Sequence, residues 1–302
     1  MHGKDASKTL WWRGRIAGAG CRCGAGLLAA GALLAGALPP GGPDDALAMV
    51  VAPHAVFIDH RTRSGVMYLQ NAGDVPEEFA IRLEFGYPVS DSLGGVYVQL
   101  MDEPPPGAGS AASWVRALPA RAIVPPGTRQ AVRLLAQPPR DLPDGEYWSR
   151  IIVESRASQP PVAVAGHDKV QVGLTMQMRT ITSLTYRKGR VVTGLKLDAF
   201  EARAGQGEVV CDLRLQRGGN AAFLGHVDLE LIDQDDHRLG HWEHVIAVYD
   251  AVFRRFACPL EGDVPPGEYR MHLTIDTERT DISADHLLPV TPIEHVISVH
   301  LP

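Results

Sequence analysis

The chain has 302 residues, with 29 Lys/Arg against 35 Asp/Glu and a formal net charge of −6. That sign argues against nucleic acid or an anionic membrane surface as the main partner. Hydrophobic residues make up 45%, enough for a packed core and too many for a disordered chain.

The first segment reads as a leader. Lys4, Lys8, Arg13, Arg15 and Arg22 make a basic start, and residues 24–38 form an uncharged run rich in Leu, Ala and Gly. Pro39 breaks that run, and Ala46-Leu47-Ala48 places small residues where a signal peptidase reads. The pattern predicts a secretory signal peptide over residues 1–48. Its apolar run is shorter than the roughly 20 residues that span a bilayer. The leader takes with it five of the 29 basic and three of the 35 acidic residues, leaving a net −8. Cys21 and Cys23 also leave, so Cys211 and Cys258 remain. Two cysteines in an exported chain predict a Cys211–Cys258 disulfide, the alternative being two buried thiols.

From Met49 the chain reads as strand after strand, punctuated by 23 Pro and 31 Gly in the whole sequence. Residues 52–59, 65–71 and 79–85 alternate, with turns at Arg61–Ser64 and Asn71-Ala-Gly-Asp74. Residues 102–113 read as an exposed loop, and 122–124, 130–136 and 146–155 as further strands. In Leu142-Pro-Asp-Gly-Glu-Tyr147 a Tyr enters a strand just after a tight turn, the setting of a tyrosine corner. Val264-Pro-Pro-Gly-Glu-Tyr269 repeats it. The expected fold is therefore all-β, with two immunoglobulin-like β-sandwich domains at 49–180 and 181–302. Tyr186-Arg-Lys-Gly189 is read as a turn at their boundary. Strands are expected at 191–197, 208–215, 226–232, 244–249, 253–258, 268–276 and 290–301.

Residues 169–179 hold the most regular alternation. Val170, Val172, Leu174, Met176 and Met178 fall on one face, with polar residues or Gly between them. This row is covered either by the protein's own core or by a second polypeptide.

The segments Val51-Ala-Pro-His-Ala-Val-Phe57, Asn71-Ala-Gly-Asp74, Leu118-Pro-Ala-Arg121, Val124-Pro-Pro-Gly127, Gln130-Ala-Val-Arg133 and Leu142–Tyr147 occur in order across residues 50–180. Together they resemble the periplasmic chaperones that assemble pili, a family of two-domain immunoglobulin-like proteins. The resemblance fades in the second half. It implies a periplasmic, non-enzymatic chaperone whose last first-domain strand is lent to a pilin-like or other incomplete β-sandwich subunit. It further implies delivery to an outer-membrane usher. Under it, Val170, Val172, Leu174, Met176 and Met178 are the client-binding row. The client's terminal carboxylate would be anchored by Arg179 and by the first-strand position, here His54. An imidazole at that position is a departure, because it holds a carboxylate well only when protonated.

The remaining residues give little support to chemistry. His237, His241 and His244 lie near Asp235 and Asp236, but strand and turn geometry would scatter the rings, so no metal is expected. Gly-x-Ser-x-Gly, a phosphate-cradling Gly-rich loop and His-Glu-x-x-His are all absent from the sequence, so neither catalysis nor a cofactor is expected. The competing reading is an exported structural or adhesive two-domain envelope protein, in which the same strand completes its own sheet.

Overall fold

The computed structural model describes residues 49–157 and 176–302. The expected leader lies outside the described residues, and so do Val170, Val172 and Leu174. The described chain is built of strands, with one short 3-10 turn at Ala284–His286.

The first sandwich uses ten strands: β1 (Met49–Ala52), β2 (Ala55–Asp59), β3 (Ser64–Asn71), β4 (Glu77–Ser90), β5 (Val96–Met101), β6 (Val115–Leu118), β7 (Arg121–Val124), β8 (Arg129–Ala136), β9 (Gly145–Ala157) and β10 (Gln177–Lys188). One sheet runs β1-β3-β8-β6 and the other β2-β10-β9-β4-β5, with β7 also paired to β4. The chain switches sheets at Pro53-His54, so β1 pairs β3 while β2 lies parallel to β10. Alternation selects the core. Met67 and Leu69 of β3, Phe79 of β4, Val132 and Leu134 of β8, and Ile151 and Val153 of β9 are buried at positions two apart or facing them.

The second sandwich has seven strands: β11 (Thr193–Ala204), β12 (Glu208–Gly219), β13 (Phe223–Ile232), β14 (Arg238–Val248), β15 (Ala251–Pro259), β16 (Gly267–Asp276) and β17 (Ile293–Leu301). A three-stranded sheet β11-β12-β15 faces a four-stranded sheet β14-β13-β16-β17. Leu213, Leu215, Val227, Leu229, Met271 and Leu273 fill the space between them.

Both tyrosine corners form. Tyr147 Oη donates to the Pro143 carbonyl at 2.9 Å, and Tyr269 Oη to the Pro265 carbonyl at 2.7 Å. Asn71, fully buried, closes the turn after β3. Its Nδ2 donates to the Val75 and Val124 carbonyls at 2.8 and 2.9 Å, and its Oδ1 accepts from Gly73 N at 2.9 Å.

Two expectations need correction. The segment 186–189 is not a turn as a whole: β10 runs on to Lys188, with Leu184 and Tyr186 buried in the first core. Residues 181–188 therefore belong to the first sandwich, and the chain breaks at Gly189. That glycine has φ +62, and a Cβ there would meet Asp144 Cγ at 2.0 Å. Asp144 Oδ2 in turn accepts from Arg190 N at 3.1 Å. The second correction concerns Cys211 and Cys258, which are buried free thiols. Cys211 lies opposite Phe256, and Cys258 opposite Val209, so the two are diagonal neighbours on adjacent strands. Their side chains touch as a hydrogen-bonded pair of thiols.

Candidate functional site

Of the row read from sequence, Met176 and Met178 are described, and Met178 lies on the inner face of β10. Even-numbered residues of this strand point toward the sandwich interior. Their exposure climbs along it: Tyr186 is 0% exposed, Leu184 1% and Thr182 4%, Met178 packs half-buried against the core, and Met176 reaches 60%. The inward face thus runs out past the edge of its own core. Of the expected row, Met178 still belongs partly to the home core and Met176 is presented to solvent.

The backbone of β10 is unevenly paired. β9 flanks it along its whole length, from Gln177 opposite Arg156 to Lys188 opposite Gly145. On the other side β2 reaches only Ser183–Arg187. Among the described residues, Gln177–Thr182 has no strand on that flank. Ser183 N donates to the His54 carbonyl at 3.2 Å, so its N–H points toward β2. By the two-residue repeat the N–H groups of Ile181 and Arg179 point the same way, past the end of β2.

The opposite, outward face carries charge. Arg82 pairs with Glu84 and, at 2.6 Å, with Glu154. Arg179 lies 3.9 Å from Glu84 and 3.8 Å from Glu154. The hydrogen bond from Arg82, and then its charge and that of Arg179, hold the Glu154 carboxyl below its ordinary pKa. These groups are solvent-exposed, so the cluster orders the face more than it stabilises the fold.

The two expected carboxylate anchors are not brought together. Ser183 stands beside His54, its Oγ 3.4 Å from the His54 carbonyl. Arg179 lies four residues earlier on β10, about 13 Å along a strand. Arg179 is also already shared between two carboxylates.

The three histidines weighed for metal separate as well. His237 Nδ1 lies 3.1 Å from Asp233, and His241 Nε2 2.8 Å from Asp228, while the His244 ring stacks on Phe256.

Sequence reasoning missed the residues that tie the two sandwiches. Glu146, inside the first-half motif Leu142–Tyr147, is buried. Its Oε2 accepts from Arg187 Nε at 2.8 Å, and its Oε1 from Trp148 Nε1 at 2.6 Å and Ala222 N at 3.1 Å. Arg187 also donates to the His286 carbonyl at 2.7 Å and lies over the Phe57 ring. His286 stacks on that ring at 4.3 Å between centroids. Burial, then the Arg187 charge, pushes the His286 pKa down. Beside them Phe85, Trp148, Ala222 and Tyr249 form a small shared apolar cluster. An acidic residue just ahead of the tyrosine corner, at the start of a strand rich in apolar residues, was the available signal.

No family model matches the chain, and no curated protein matches it. Among solved structures it is similar to the YadV chaperone, at 15% identity and a TM-score of 0.42, over 83% of this chain and 100% of that one. It is similar to a chain of the CsuC–CsuE chaperone–tip adhesion subunit pre-assembly complex of Acinetobacter baumannii, at 15% identity and a TM-score of 0.40, over 83% and 97%. It is also similar to the CupB2 chaperone of Pseudomonas aeruginosa, at 11% identity and a TM-score of 0.39, over 83% and 100%.

Proposed function

We propose that the chain is a periplasmic, non-enzymatic chaperone that holds an incomplete β-sandwich subunit by lending it the segment leading into β10. The observation that carries this reading is the half-paired strand. β10 keeps β9 on one flank, yet over Gln177–Thr182 the other flank faces no strand among the described residues. An open edge beside an apolar row is a template for another chain. A strand added there satisfies its own backbone, while its groove takes the alternate side chains. The rise in exposure from Leu184 to Met176 supports a row that serves more than the home core. Each apolar side chain so covered would contribute about 1.5–3 kcal/mol before ordering costs. The sequence resemblance supplies the client class, a pilin-like subunit, and the delivery to an outer-membrane usher.

The test is co-expression of the mature chain with a pilin-like partner encoded beside it. A soluble complex is expected, and Leu174→Asp is expected to abolish it while the free protein stays folded. If Leu174→Asp unfolds the free protein, the row belongs to the home core and the structural or adhesive reading replaces this one.

A further inference from the structure

Arg254 occupies a place where a charge is costly. It stands on β15 at the inward-facing register between Val252 and Phe256, both buried. Its guanidinium lies over the Phe256 ring, 4.8 Å from the centroid. Its Nε is buried and has no hydrogen-bond partner among the described residues. Burial lowers its pKa, and no carboxylate among the described residues opposes that shift. The His244 ring stacks on the same Phe256 at 4.3 Å and buries an unpartnered Nε2. Burial first, then the charges of Arg254 and His226, push the His244 pKa down.

Neighbouring arginines are satisfied. Arg255, on the other face of the same strand, pairs with Asp212 at 2.7 Å. Arg279 bonds Asp281 at 2.8 and 2.5 Å and the Ile246 carbonyl at 3.2 Å. Arg254 is half-buried with its Nε sealed and unpartnered, so its guanidinium has no carboxylate partner among the described residues and can take an anion from outside.

A cavity of about 220 Å³ opens against Arg254. Pro88 and Val96 wall it from the first sandwich, and Val245, Ala247 and Val252 from the second. Its bulk is that of about seven waters, the scale of a small branched acid. Arg279 lines it too but is held by Asp281, so Arg254 is the lining cation left without a carboxylate among the described residues, and it orients a ligand that is anionic at one end only.

We propose that this cavity binds a monocarboxylate carrying a branched aliphatic group, its carboxylate on Arg254 and its aliphatic end against Val96, Val245 and Val252. Such a group is offered by a free acylated amino acid or by the last residue of a peptide, and the recognition chemistry is the same. The site uses no residue of β10 and stands apart from strand donation.

Calorimetric titration of the mature protein with N-acetyl-leucine, N-acetyl-leucinamide and the peptide Ala-Ala-Leu tests it. N-acetyl-leucine binds, and the neutral amide binds at least about tenfold more weakly, because it brings no charge to the guanidinium. Arg254→Met abolishes binding of the acid. Peptide binding that is lost in the same variant identifies a chain terminus as a source, and binding by the small acid alone identifies a free metabolite. Equal affinity for acid and amide, or no binding of either acid or peptide, overturns the proposal. The amide comparison needs no variant, so it decides even if Arg254→Met fails to fold. An unchanged affinity in a folded Arg254→Met protein also overturns it.

Discussion

Arg187 and Glu146 face each other across β10 and β9, 2.8 Å apart, and each also bonds the second sandwich. Glu146 takes Ala222 N, and Arg187 gives to the His286 carbonyl. A pair internal to one sandwich thereby fixes the seat of the other. Removing the carboxylate leaves a largely buried guanidinium unpaired and strips an acceptor from Trp148. Glu146→Ala is expected to cost about 3–5 kcal/mol. Glu146→Gln should recover part of that, since an amide oxygen still accepts from Trp148 and Ala222. Urea unfolding followed by tryptophan fluorescence reads both. A Glu146→Ala midpoint equal to wild type removes the pair from any role in holding the sandwiches.

The strand pattern and both tyrosine corners were legible because alternation and tight-turn chemistry are local. Tyr147 and Tyr269 needed only a Pro-x-Gly turn and a strand behind them. The seat of Arg187 was not legible. Its partner Glu146 lies 41 residues away, and its other contact, His286, lies 99 away. Read locally, Tyr186-Arg-Lys-Gly looks like a turn, yet cross-strand pairing with Tyr147 and Glu146 carries the strand through it. The residue beside His54 is Ser183, four positions along β10 from Arg179, and neither residue's neighbour can be read from local sequence. β5 escaped for another reason. Val96, Tyr97 and Val98 are all exposed, so no buried face imposes a period of two.

The two cysteines give a chemical test of the described core. Contact with Cys258, followed by burial, pushes the Cys211 thiol pKa far up, and both residues are fully buried. Thiolate is the reactive species, so the native protein should resist alkylation. In denaturant without reductant, mass spectrometry should find two alkylated residues in the mature chain. Alkylation that appears only after reduction would show a disulfide instead of the two thiols.

Two carboxylates predict opposite pH behaviour. Hydrogen bonds from Arg255 and then Arg203, against some desolvation, leave the Asp212 pKa below its ordinary value. A depressed folded pKa contributes stability that is present above the unfolded value and lost as pH falls through the folded one. Glu77 is the reverse case. Desolvation raises its pKa, and its Oε2 is buried with no partner among the described residues. Its protonated form suits the fold, so its contribution is complete below the unfolded pKa and is lost as pH rises through the folded one. At neutral pH, Asp212→Asn should therefore destabilise and Glu77→Gln should stabilise, each by on the order of 1 kcal/mol. Both differences should shrink as the solution is made acid enough to protonate carboxylates. Unfolding midpoints measured between neutral and acid pH check this. Differences that hold constant with pH would mean that neither carboxylate is shifted by its surroundings.

Strand donation needs the backbone of β10, and its geometry separates that need from folding. The Ser183 N–H points at His54, so the N–H of Arg179 points to the same open flank and that of Thr180 points toward β9. A proline removes one N–H and is tolerated on an unpaired edge, but it breaks a ladder bond elsewhere. Arg179→Pro should leave the unfolding midpoint near wild type and abolish capture of the client. Thr180→Pro should lower the midpoint by itself. Arg179→Ala tests the side chain apart from the backbone: capture that persists would remove it from anchoring the client carboxylate, and capture that weakens would support that role. Pull-down of the co-expressed subunit and urea unfolding of the free protein give the two readouts for each variant. Capture that survives Arg179→Pro would mean that no client strand pairs with this flank.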